Sequence, residues 1–243
     1  MTANRNCNLE CLQDKVGTDV LEFVGPVKIV LVDTPKQRYY VSVCKASALL
    51  IAAILLGITT MSVLFFSTTY KREDMYKALH ILVCTIGMQI LLPFGILSVK
   101  RLSGPAAAMK PFQKRLEHII LNLLGYLCIT GGAIVTFFCG HNPYFTPHSC
   151  LGLATGGLVL LNALFGVIFS CFKCSIEIEN LSGIRKSFYY VHKVIGAFAL
   201  IASAACFITG IMKQPYVDWL PIGDMLYFHI VFCILYTIIF VIC

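Results

Sequence analysis

The 243-residue chain is 58% hydrophobic and only 13% charged, against a charged share of about 25% in soluble domains. So few charges cannot cover that much apolar surface in water, which excludes a soluble globular protein and makes lipid the solvent for much of the chain. The formal charge of +7 then reads as membrane topology and attraction to anionic headgroups, not as nucleic-acid binding.

From the N-terminus, residues 1–42 carry ten charges and lack the basic, apolar, small-residue succession of a cleavable signal. They are expected to be a cytoplasmic segment in which Val27–Val32 and Tyr39–Val43 form a β-hairpin around Asp33-Thr34-Pro35-Lys36. Residues 43–243 hold six stretches that match the roughly 20 apolar residues a bilayer core demands. These are 44–66, 76–98, 118–139, 148–171, 190–212 and 224–243, the last with barely room to cross. The expected fold is all-α and integral to the membrane, with six transmembrane helices and a central four-helix bundle of helices two to five. With the N-terminus cytoplasmic, that side receives 15 of the 19 Lys and Arg, so both termini are expected there. Plasma membrane and endomembrane or vesicle are equally compatible.

Twelve cysteines do not make a disulfide framework, because Cys84, Cys128, Cys206 and Cys233 lie inside apolar runs and act as small hydrophobes. Cys7-x3-Cys11 and Cys171-x2-Cys174 lack the second half of a zinc site. Gln89 and Asn162 are mid-depth amides, expected to form interhelical hydrogen bonds. No acidic residue lies in the middle of a span, and Pro93 is the only proline within spans two to five, which argues against the broken helices of a transporter.

Ionisable residues at membrane depth mark function, and histidine opens four consecutive spans. His80 and His148 open the second and fourth at one membrane face; His118 and His192 open the third and fifth at the other. Alternate helices of an up-down bundle face each other diagonally, so two imidazoles meet at each level as a ready axial pair for a haem iron. Two haem sites, one per leaflet, are the expectation. Glycines follow each histidine by four or seven residues, at Gly152, Gly196, Gly87 and Gly125, and the stripe continues at Gly132, Gly166 and Gly210. They are expected to leave room for the rings. The plainer alternative is that these are interfacial histidines and helix-packing glycines. His229 is read as a packing residue.

These histidines and their neighbours resemble the cytochrome b561 family over about 170 residues. His148-Ser149-Cys150-Leu151-Gly152-Leu153 is similar to its Leu-His-Ser-Trp-Leu-Gly signature, with Cys150 where the tryptophan stands. Gly95–Arg101 and Lys114-Arg115-Leu116-Glu117-His118 resemble the segments that close the second span and open the third. Tyr144 stands four before His148 and Arg185 seven before His192, as a tyrosine and an arginine do in the family. The resemblance, to a divergent member, implies a transmembrane oxidoreductase of the ferric reductase type. Its two haems would be held by His80 with His148 and His118 with His192. Electrons would pass from cytoplasmic ascorbate to a ferric chelate or monodehydroascorbate on the other side. Lys114 and Arg185 carry over as ascorbate contacts and Tyr144 as an outer-site residue. Lys110 adds to the cation cluster that would gather the ascorbate monoanion, and His141 lies beside Tyr144 in the outer loop. A homodimer is an allowed assembly. The competing functions are a haem-bearing anchor that passes electrons to a partner protein or quinone, and a non-haem transporter or scaffold.

Overall fold

The computed structural model describes residues 21–23, 29–31, 36–100, 110–138, 146–175 and 182–243. The chain divides into two units, Met1–Cys44 and Lys45–Cys243. In the first, Leu21–Phe23 pairs antiparallel with Ile29–Leu31, with Leu21 opposite Leu31 and Phe23 opposite Ile29. A hairpin exists, but not the expected one. Ile29–Leu31 pairs with an earlier strand, and Tyr39–Val43 belongs to a helix that starts at Lys36 and runs to Tyr70. Gly25-Pro26 is the stronger turn signal, and after Pro35 no breaker stands between Lys36 and the apolar run, so the helix extends outward from the span.

Six helices among the described residues are long and apolar enough to cross a membrane: Tyr39–Tyr70, Met75–Ser98, Phe112–Thr136, Pro147–Ile168, Lys186–Ile211 and Met225–Ile242. Asp74 caps the second, accepting the Lys77 backbone N–H at 3.0 Å, and that bond holds its carboxyl below the ordinary value. The third and fifth helices begin at Pro111 and Ser182, several residues before the apolar runs. Gln113, Lys114, Arg115, Leu116 and Glu117 are good helix formers and continue the helix beyond the span. His118 therefore lies two turns inside its helix, whereas His148 is the second residue of Pro147–Ser175.

The second span is not uniform. Regular helix over Met75–Thr85 gives way to a wide turn, Ile86–Leu91, before helix resumes over Leu92–Ser98. In that turn the Leu92 N–H reaches the Gly87 carbonyl, five residues back.

Among the described residues, two apolar clusters hold the helices together. One lies inside the bundle, with Met88 and Leu92 against Ile129, Val159, Ala199 and Cys206. The other sets Leu56, Val63 and Phe66 of the first span and Cys233, Tyr236 and Phe240 of the sixth against Leu200, Ala204 and Phe207 of the fifth. The third and fourth spans bury least of their surface within the protein, leaving Leu123, Leu127, Leu153 and Leu164 outward, as lipid demands. After the fifth span, the short helix Gln214–Trp219 packs Tyr216 between Phe66, at 5.2 Å between ring centroids, and His229, at 6.1 Å. His229 is thus buried packing, as expected. Lys100 ties the end of the second span to the sixth, donating to the Phe240 carbonyl.

Candidate functional site

The bundle brings the histidines together in the expected pairs. The rings of His80 and His148 have centroids 6.1 Å apart and stand at 86° to each other; those of His118 and His192 are 6.0 Å apart at 78°. Two metal–nitrogen bonds of about 2.0 Å plus two ring half-widths of about 1 Å come to about 6 Å, which is the separation one iron between two imidazoles requires.

Each ring is also oriented from behind. His80 Nδ1 lies 2.8 Å from the Gly132 carbonyl, His118 Nδ1 2.6 Å from that of Gly95, His148 Nδ1 3.0 Å from that of Cys206 and His192 Nδ1 3.0 Å from that of Asn162. A carbonyl only accepts, so Nδ1 carries the proton in all four and Nε2 keeps the lone pair a metal would take. A ligating histidine is held in this way by its other nitrogen. The exchange is reciprocal. The second and third helices each carry a histidine and receive one from the other, and the fourth and fifth do the same.

The glycine stripe divides between two roles. A Cβ at Gly210 would sit 3.0 Å from His148 Cε1, and one at Gly166 3.2 Å from His192 Cε1, so these two make room for imidazoles. Gly87 and Gly125 do not lie beside a ring. They let the second and third helices touch, a Cβ at Gly87 falling 2.9 Å from the Gly125 carbonyl. Gly196 faces the Asn162 amide and Gly152 the Cys206 thiol. One imidazole of each pair therefore has a glycine against it.

Side chains that the sequence reading passed over surround the rings. Asn122, one turn after His118, donates Nδ2 to the His118 carbonyl at 2.6 Å and lies 3.2 Å from its Nδ1. Cys84, one turn after His80, has Sγ 3.6 Å from the His80 Nδ1. Cys206 and Thr209 approach the His148 Nδ1 at 3.7 and 3.5 Å. Helical spacing from each histidine would have found Asn122 and Cys84; no sequence signal marks a backbone acceptor. Gln89 makes its interhelical bonds, whereas the Asn162 side chain leaves Oδ1 without a partner and contributes through its carbonyl.

Of the remaining candidates, Lys114 is half-buried one turn before His118, and Lys110 is exposed just ahead of that helix. Arg185 falls in the first turn of the Ser182–Ile211 helix. Tyr144 and His141 lie outside the described residues.

Two imidazoles are too few for a closed zinc site, but they complete a macrocycle that supplies four nitrogens of its own. The tautomers and the ring separation fit a porphyrin iron, and Gly166 and Gly210 leave room for the imidazoles that would hold it. No match was found among curated proteins. The profile of eukaryotic cytochrome b561 matches residues 79–217, from just before His80 through the short helix after the fifth span, with the first and last spans outside it. That match covers more than half of the chain and contains all four histidines, and the protein belongs to the eukaryotic cytochrome b561 family, membrane proteins that carry b-type haem and transfer electrons across the bilayer.

Proposed function

We propose that the chain binds two b-type haems, one between His80 and His148 and one between His118 and His192. It would pass electrons from cytoplasmic ascorbate to a ferric chelate or monodehydroascorbate on the opposite side. The observation that supports this best is the common tautomer of the four histidines, each with Nδ1 committed to a carbonyl and Nε2 free to ligate. Bound between such a pair, haem iron supplies one-electron redox chemistry without an open position for oxygen.

The chain's own residues do the rest. His80 and Gly95, which bounds the other site through its carbonyl, are fifteen residues apart, so the two levels are separated by roughly 22 Å of helix rise. Lys110 and Lys114 attract the ascorbate monoanion to the His118/His192 end, and Arg185 sits at the head of the helix that carries His192. Each ascorbate gives up one electron and one proton there and leaves as monodehydroascorbate. This direction of transfer follows the positive-inside reading, which sets the His118/His192 end in the cytoplasm.

A dithionite-reduced minus oxidised spectrum of the detergent-purified protein, with a haem-to-protein ratio and a repeat with ascorbate, tests the proposal. Two b-type haems per chain, both reducible by ascorbate, are expected. Absence of haem would overturn the assignment, and reduction by dithionite alone would replace ascorbate with a partner protein or quinone as donor.

A further inference from the structure

Each bundle helix carries a histidine toward one end and, toward the other, the carbonyl that orients a neighbour's histidine. In the third span these are His118 and Gly132, in the fourth His148 and Asn162, in the fifth His192 and Cys206. In all three the two residues are fourteen apart. Fourteen residues stop a regular helix about 40° short of four turns, so ring and carbonyl share a face. The corresponding residues of the second span, His80 and Gly95, are fifteen apart. On an unbroken helix the extra residue would swing Gly95 by about 100° from the phase the other three use, and its carbonyl would turn away from His118.

The wide turn Ile86–Leu91 absorbs that residue. The third, fourth and fifth spans each run as one helix without such a turn. Pro93 supplies the cause, since it has no N–H to return to the Gln89 carbonyl four residues back. Contacts at the start of the turn and beyond its end show that phase is kept. Gly87 still meets Gly125 and Cys128 of the third helix, and Gly95 still meets Asn122.

Buried polar groups clamp the turn from the far side. Gln89 donates Nε2 to the Ser203 carbonyl and hydroxyl, both at 3.2 Å, and its Oε1 accepts the Tyr236 hydroxyl at 2.5 Å. Ser203 in turn donates to the Met88 carbonyl at 3.1 Å. Gln89 is 2% exposed, Ser203 1% and Tyr236 0%, so these bonds form where water cannot replace them.

We infer that the wide turn of the second span is a register device that keeps His80 and the Gly95 carbonyl on one face, and so holds both histidine pairs in place together. Gln89, Ser203 and Tyr236 are its positioning residues. This inference rests on the four histidines being haem ligands.

The test is a pair of single-residue deletions in the full chain. Removing Ile90 together with Pro93→Ala gives the second span the fourteen-residue spacing of a regular helix. Removing the lipid-facing Leu127 shortens the third span to thirteen. The first variant is expected to keep two haems with wild-type low-spin resonances in electron paramagnetic resonance, while the second loses haem. Equal loss in both, misfolding of the first, or retention in both overturns the inference. Tyr236→Phe is expected to keep both haems but shift the resonance of the His118/His192 one; a lower melting temperature with unaltered resonances would reduce the clamp to simple packing. Wild-type protein without haem, or no loss of haem from His80→Ala and His118→Ala, would instead sink the haem reading itself.

Discussion

The two ends of the bundle use the same backbone plan with different side chains. At one end, His80 and His148 are flanked by the thiols of Cys84 and Cys206 and the Thr209 hydroxyl. At the other, His118 is flanked by the Asn122 carboxamide, and Asn162 lends its carbonyl to His192. Ring separations and Nδ1 partners are nevertheless the same in kind. Backbone carbonyls and glycines therefore set the geometry of the histidine pairs, and the neighbouring side chains are free to differ and to set the environment of each pair.

The largest effect comes from breaking one end and leaving the other. His148→Ala is expected to reduce haem content to about half, with the His118/His192 signal intact, and His192→Ala to do the converse. Redox titration followed optically, where one of two steps disappears, checks this. Next come the glycines that admit the rings. Gly210→Ala and Gly166→Ala put a methyl against His148 and His192 respectively, and each is expected to weaken haem retention at its own end about tenfold, as other losses of ligand support do. Gly57→Ala is the control, because nothing lies within 4 Å of a Cβ there. Haem retention during detergent challenge measures all three.

Much of this plan is legible in the sequence, for identifiable reasons. Six apolar runs and four histidines at alternating depths follow from the length of a span and the antiparallel course of the chain. The pairing of His80 with His148 needs only that arithmetic. The carbonyl acceptors are illegible because every residue has one, and only packing selects Gly132 or Cys206. Gln89 and Pro93 were visible as an amide and a proline within a span, but the wide turn shows only when the fifteen-residue interval is set beside the three of fourteen. The hairpin forms elsewhere than local propensity suggests, because the β-branched and aromatic residues of Tyr39–Val43 favour a strand locally, whereas their continuity with an apolar run makes them helix.

Smaller changes sharpen the contrast between ends. The Asn122 carboxamide sets its N–H end beside the His118 ring, which disfavours the extra positive charge of an oxidised iron. Asn122→Leu is expected to lower the midpoint potential of that haem by up to about 60 mV, equivalent to about tenfold in a one-electron equilibrium. A thiol is a weak hydrogen-bonding group, so Cys84→Ala should move the other haem by less. Potentiometric titration of both variants gives the comparison, and equal shifts would mean that the side chains do not distinguish the ends.

The least effects are expected at Lys114 and Lys110, and they separate a substrate contact from a topology signal. Lys114 lies one turn before His118 and is half-buried, whereas Lys110 is exposed. If Lys114 touches ascorbate, Lys114→Ala raises the KM for ascorbate about two- to fivefold, the scale of one partly solvated ion pair, and leaves dithionite reduction unchanged. Lys114→Arg keeps the charge and restores most of the lost affinity. Lys110→Ala acts only through the general field, so its smaller effect disappears as salt shortens the Debye length to below about 10 Å. A Lys114→Ala effect that salt erases equally would place both lysines in that field and leave the sidedness of the chain as their whole role.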